Sequence, residues 1–175
     1  MNTKFAIALL LLSAAFTSGQ TKKSETWAEP DGFLGVPFNA GQAEARSKLD
    51  LKCDGEGTCT YDLRLMDLPL KLFFNFDDRD KLGRVFANFR SSSFEIVRGV
   101  FVQRYGKPTQ VSTQTVTTAL GDRIEIETCG WIGEKVSIAL TKYFPREGET
   151  VREGIFMVFL NDYLEERIRR ATEKL

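Results

Sequence analysis

Three cysteines, a run of aspartates and a pair of glutamates are the residues here whose types and spacing could do chemistry. The chain contains no histidine. That removes Ser-His-Asp and Cys-His nucleophile arrangements, and the usual imidazole ligands of zinc, copper and non-haem iron. General acid–base work would fall to carboxylates, Lys, Tyr or Cys. Asp77, Asp78 and Asp80 form the densest acidic cluster, within NFDDRDKLG. That stretch lacks the spacing and closing Glu of an EF-hand, so it reads as a solvated hairpin turn rather than a cation site. Glu125 and Glu127 share one strand face, but a glycosidase-type pair would have to be held across a cleft. Ser91–Ser93 reads as a helix cap rather than a nucleophile. The glycines of DGFLG and CDGEG do not form a phosphate loop between strand and helix. No catalytic residue, cofactor or metal is expected, and the chain is read as a non-enzyme.

Cys53 and Cys59 bracket CDGEGTC, a Gly-rich loop short enough to turn back on itself. In an oxidising compartment they are expected to be bridged, the alternative being two unpaired thiols. Two Cys without His or a second Cys pair make a poor zinc set. Cys129 is then the odd one, either a buried free thiol or a reactive or intermolecular one.

The compartment is read from the first residues. Lys4, an apolar run from Phe5 to Ala15 and a small-residue exit through Thr17 and Gly19 describe a secretory signal peptide over residues 1–19. A membrane span needs roughly 20 apolar residues, more than this run supplies, and no later segment spans. The expectation is a periplasmic or extracellular protein with the leader removed. Removing residues 1–19 takes away Lys4 alone, leaving 23 Lys plus Arg against 24 Asp plus Glu, a formal charge of −1. So balanced a chain gives no electrostatic case for nucleic acid or an anionic membrane.

The elements that must position any site follow from periodicity. Residues 20–31 are polar around a lone Trp27 and read as a flexible N-terminus, followed by one domain over 32–175. GFLGVPF reads as a short extended segment, and Asn39 as the cap of a short helix through Leu49. Tyr61–Met66, Leu70–Phe76 and Arg84–Arg90 alternate apolar and polar, the signature of an antiparallel meander covered on one face. Ser92 and Glu95 have capping-box spacing. Phe94, Val97, Val100, Phe101 and Tyr105 recur at steps of three and four, and Gly106 with Pro108 ends the helix. A second meander follows over Val111–Thr118, Arg123–Trp131 and Lys135–Phe144, with Gly154–Leu160 apolar on both sides. Asp162 caps a last helix striped by Leu164, Ile168, Ala171 and Leu175. The fold class is α+β, helices packed on an antiparallel meander sheet, and the order suggests a duplicated α-β-β-β unit.

GFLGVPFNAGQAEARSKL and FVQRYGKPT resemble the opening and the helix end of small exported bacterial proteins. The overall pattern resembles the beta-lactamase-inhibitor-protein-like and SmpA/OmlA (BamE)-like modules. That resemblance implies helices on antiparallel sheets and action by binding other proteins. It carries over no functional residue, and the lipoprotein Cys of the SmpA/OmlA-like group is missing here.

The faces of the strands carry the functional expectation. If Leu72, Phe74, Val85 and Phe89 face the helix, then Arg64, Phe73, Arg84 and Phe86 point away from it, with Trp131 and Tyr143 doing the same in the second half. Aromatics with Arg on an open sheet match protein-binding patches. The competing reading is that these residues pack under the N-terminal segment or the last helix. The sequence therefore predicts a secreted or periplasmic, non-catalytic protein-binding module. The alternatives are a binder of a small apolar ligand between helix and sheet, suggested by 14 Phe, and a carboxylate-dependent hydrolase.

Overall fold

The computed structural model describes residues 27–117, 121, 123–143 and 153–173. The expected leader and residues 20–26 lie outside the described residues.

Among the described residues, ten strands and three helices follow one another. A small hairpin, β1 (Gly32–Phe33) and β2 (Val36–Pro37), precedes α1 (Gln42–Lys48). Then come β3 (Lys52–Cys53), β4 (Thr58–Leu65), β5 (Leu68–Phe76) and β6 (Leu82–Arg90). After α2 (Phe94–Tyr105) come β7 (Gln110–Thr117), β8 (Arg123–Ile132), β9 (Val136–Thr141) and β10 (Glu153–Leu160), followed by α3 (Asn161–Thr172). The first two strands pair only with each other. The other eight form one antiparallel sheet in the order β3-β4-β5-β6-β10-β9-β8-β7.

That order is two four-stranded meanders, each preceded by a helix, joined edge to edge at β6 and β10. The duplication is therefore of an α-β-β-β-β unit, one strand longer than the sequence suggested. The additional strand of the first half is β3, two residues held opposite β4 where Cys53 faces Cys59. These cysteines are bridged, and Cys129 is a buried thiol. Closing so short a loop stabilises the fold by about 2 kcal/mol in the chain-entropy model. A non-reducing peptide map should show Cys53 linked to Cys59. Burial pushes the Cys129 thiol up from its ordinary range, so iodoacetamide at mildly alkaline pH should label it only after denaturant is added. A linked peptide containing Cys129, or rapid labelling of the native protein, would contradict this arrangement.

Alternation decides which side is the core. Leu72 and Phe74 on β5, Val85 and Ala87 on β6, and Phe156 and Val158 on β10 are all buried on one face. Helix α2 lies on that face through Phe94, Val97, Phe101 and Tyr105, spaced three and four apart. Phe101 meets Phe156 at 5.0 Å between ring centroids, Tyr105 at 5.7 Å and Trp131 at 5.9 Å. Val100 is only half-buried, because it lies at the flank of that stripe.

Three helix starts differ from expectation. Ser91–Ser93 form a 3-10 turn and α2 begins at Phe94, without the Ser92–Glu95 capping box, and Glu95 reaches Arg98 instead. Asn39 adopts a left-handed turn (φ 67°) ahead of α1, and the carboxylate of Asp80 accepts the Gln42 N–H at 3.2 Å in its place. Helix α3 starts at Asn161, whose amide is spent on the carbonyls of Gly133 and Glu134. At the far end of α2, Gly106 has φ 81° and donates its N–H to the Val102 carbonyl, the helix stop that its sequence position predicts.

The segment ahead of Gly32 is anchored from Trp27 onward. Trp27 packs edge-on against Tyr105 at 6.5 Å, and the Glu29 carboxylate accepts the N–H groups of Glu134, Lys135 and Val136. The β8–β9 turn is thus held from both sides, by Glu29 and by Asn161.

Candidate binding face

Opposite the core, the sheet presents a second face whose rows follow from strand register. One row runs Thr60, Phe73, Phe86, Met157, Ala139, Gly130 from β4 to β8. The next runs Thr58, Asn75, Arg84, Phe159, Ser137, Ile132. Period two puts these residues outside because their neighbours Leu72, Phe74, Val85 and Val158 are drawn into the core.

Phe73 and Phe86 are directly opposed and stacked, with ring centroids 4.8 Å apart and planes 13° from parallel. Such a pair contributes about 0.5–1.5 kcal/mol beyond its buried area. Arg84 lies over the Phe86 ring, its Cζ 4.8 Å from the centroid. Its Nε and Nη2 donate to Asn75 Oδ1 at 3.0 and 2.7 Å, and Asn75 Nδ2 donates to Thr58 Oγ1 at 3.0 Å. Phe73, Phe86 and Met157 are half-buried, and together they form an apolar strip with Arg84 at its side.

Arg84 is set by a bulge. The β5–β6 register slips between Asn75 and Phe76, so that Leu82 faces Phe76 while Arg84 faces Asn75, and Gly83 is the extra residue. A side-chain carbon on Gly83 would lie 2.0 Å from the ring of Tyr163, so only glycine leaves room for α3 to seat there. Helix α3 continues to the β5–β6 turn, where Arg170 pairs with Asp78. Burial lowers the Arg84 pKa; Tyr163 opposes the shift and Arg167 of α3 adds to it.

Of the residues that alternation placed on this face, Phe73, Arg84 and Phe86 come together. Arg64 is on the same face but opposite Pro69, four residues and roughly 13 Å along β4 from the Phe73 row. Tyr143 lies four residues past Ala139, beyond the end of β9, with Lys142 Nζ 5.9 Å from its ring. Trp131 does not point away from the helices. It is fully buried against Phe101 on the core face, and its Nε1 donates to the Gly106 carbonyl at 2.8 Å. The cause is the parity of β8: Cys129 and Trp131 occupy the part that β9 and α2 cover, whereas Ile124 and Ile126 lie beyond the Thr128–Ile132 segment that pairs with β9. Over β9 and β10 the second face is largely closed, with Ile155, Ala139, Ser137 and Thr141 each 7% exposed or less. The accessible part is therefore narrower than alternation implies and centres on β5 and β6.

Two features of this face were missed. Met157 joins the strip because β10 inserts beside β6, a long-range pairing that GIFMVFL, apolar on both sides, does not announce. Asn75 and Gly83 read as ordinary strand residues until the bulge is seen.

The acidic residues are engaged elsewhere. Asp77 Oδ1 accepts the N–H groups of Arg79 and Lys81, Asp80 caps α1, and Asp78 holds Arg170. Glu127 faces Arg98 at 3.6 Å on the helix side, while Glu125 is exposed. Among the described residues no three His, Cys, Asp or Glu side chains gather as a metal site, and no helix is long and apolar enough to cross a membrane. No family of known proteins, no curated protein and no solved structure matches the chain.

Proposed function

We propose that this is an exported, non-catalytic protein-binding module that docks its partner on the Phe73–Phe86 strip. The observation that carries this reading is the stacked pair itself: two aromatic rings on the sheet face opposite α2, where α3 seats beside Gly83, flanked by Met157 and a guanidinium. Aromatic and Arg side chains dominate the energy of protein interfaces, and sheet strands hold them at low conformational cost. The Cys53–Cys59 bridge and the leader-like run ahead of residue 20 support an oxidising compartment. The resemblance to inhibitor-like exported modules points the same way. The small apolar ligand reading is less favoured, because Phe101, Trp131 and Phe156 already meet ring to ring between α2 and the sheet.

The test is quantitative capture from the native envelope or culture fluid, with the retained protein identified by mass and then remeasured as a pure pair. Phe73→Ala and Phe86→Ala should each weaken that pair by about tenfold or more, as truncating an interface anchor does. Both rings are only half-buried, so each substitution should cost about 1 kcal/mol of stability, near the mutational mean. Variants that unfold would make the strip a second core. Variants that stay folded and bind normally would leave the strip without a role.

A further inference from the structure

The strip's cation is incomplete. Arg84 has been withdrawn from water without an acidic partner among the described residues: its side edge is taken by a neutral amide, Asn75, and one face by the Phe86 ring. From the overlying helix, Tyr163 and the cation Arg167 act on it. A desolvated charge is costly unless an opposite charge or a full set of hydrogen bonds meets it. Here Nε and Nη2 are occupied, which leaves the terminal edge, Nη1 with the second N–H of Nη2, as the fork that matches a carboxylate. An aspartate at position 75 would have neutralised the guanidinium from within, but the chain carries the amide there.

Resting on the docking surface proposed above, we infer that the partner protein presents an Asp or Glu side chain to the terminal edge of Arg84, beside an apolar side chain laid on Phe73 and Phe86. The partner's carboxylate supplies a counter-charge that none of the described residues gives, and the adjacent rings exclude water from the pair. Recognition then requires both groups at once, an acid and a neighbouring apolar anchor. Charge steering by Arg84 and Arg167 favours the approach of an acidic surface.

A random twelve-residue peptide library displayed on phage, panned on the purified disulfide-bonded protein, tests this without knowing the partner. Peptides whose retention depends on Phe73 and Phe86 should carry an Asp or Glu next to an apolar residue. Changing that acid to its amide should weaken binding to wild type by about tenfold or more, yet leave binding to Arg84→Gln unchanged. Asn75→Asp provides an internal carboxylate, so it should raise the melting temperature while lowering affinity for the same peptides about tenfold. This variant decides the matter if Arg84→Gln fails to fold. Strip-dependent peptides without an acid, or an equal amide penalty on wild type and Arg84→Gln, would overturn the carboxylate inference while leaving the docking surface standing. Failure to recover any peptide that depends on Phe73 and Phe86 would overturn both. Equal competition by millimolar inorganic phosphate and by the acidic peptide would make the site a general anion site and overturn the inference of a protein carboxylate.

Discussion

Phe101→Ala should lower the unfolding free energy by about 3–5 kcal/mol, the range for removing a buried aromatic ring. The reason is position as much as size. Phe101 is the third turn of the α2 stripe, and its ring touches Phe156 on β10, Trp131 on β8 and Tyr105 one turn on. These strands belong to the second meander, and β10 is the strand that joins it to the first. One side chain thus ties the helix to the seam between the halves. The cavity left behind would be lined by rigid rings, which cannot collapse into it as flexible Leu or Met would. Urea melts should show the midpoint falling with the slope little changed. A loss under about 1 kcal/mol would mean that the α2 stripe does not face the sheet.

This core was readable in advance because two periodicities agree. The stripe Phe94, Val97, Phe101, Tyr105 repeats at helical spacing, and Leu72, Phe74, Val85 and Phe89 repeat at strand spacing, so each element has one choice of inner face. The same alternation puts Phe73, Phe86 and Arg84 on the outer side, where the β5–β6 register holds them. The signal fails where two elements meet that are distant in sequence. The pairing of β6 with β10 brings Met157 beside Phe86, and no local pattern in either strand encodes that neighbour. The helix starts failed for a related reason: Asp80 and Asn161 form tertiary hydrogen bonds that displace or preclude the local caps. Gly83 is legible only through Tyr163, the ring that occupies the space its side chain would need.

Trp131 is the sharpest case, and it carries the second large prediction. Strand parity counted from Ile124 and Ile126 puts it outside, yet it is 0% exposed and bonded through its indole N–H to the carbonyl of Gly106. Ile124 and Ile126 mislead because they belong to the part of β8 that extends past its pairing with β9, where no helix-facing core exists to enforce parity. Trp131→Ala should therefore cost about 3–5 kcal/mol, as for other buried large aromatics. Trp131→Phe keeps a ring but loses the bond to Gly106, and should cost about 1 kcal/mol more than its change in volume explains. Because Trp131 and Phe101 share one contact, Phe101→Ala with Trp131→Ala should be less destabilising than the two losses added, by about 0.5–3 kcal/mol. A surface tryptophan in a binding patch would behave in the opposite way: truncation would leave stability within about 0.5 kcal/mol and reduce partner affinity. Chemical melts of the three variants, read beside affinity for whatever the Phe73–Phe86 strip retains, separate these outcomes. Strict additivity, or a stable Trp131→Ala protein with weakened binding, would return Trp131 to the outer face and undo the assignment of β8.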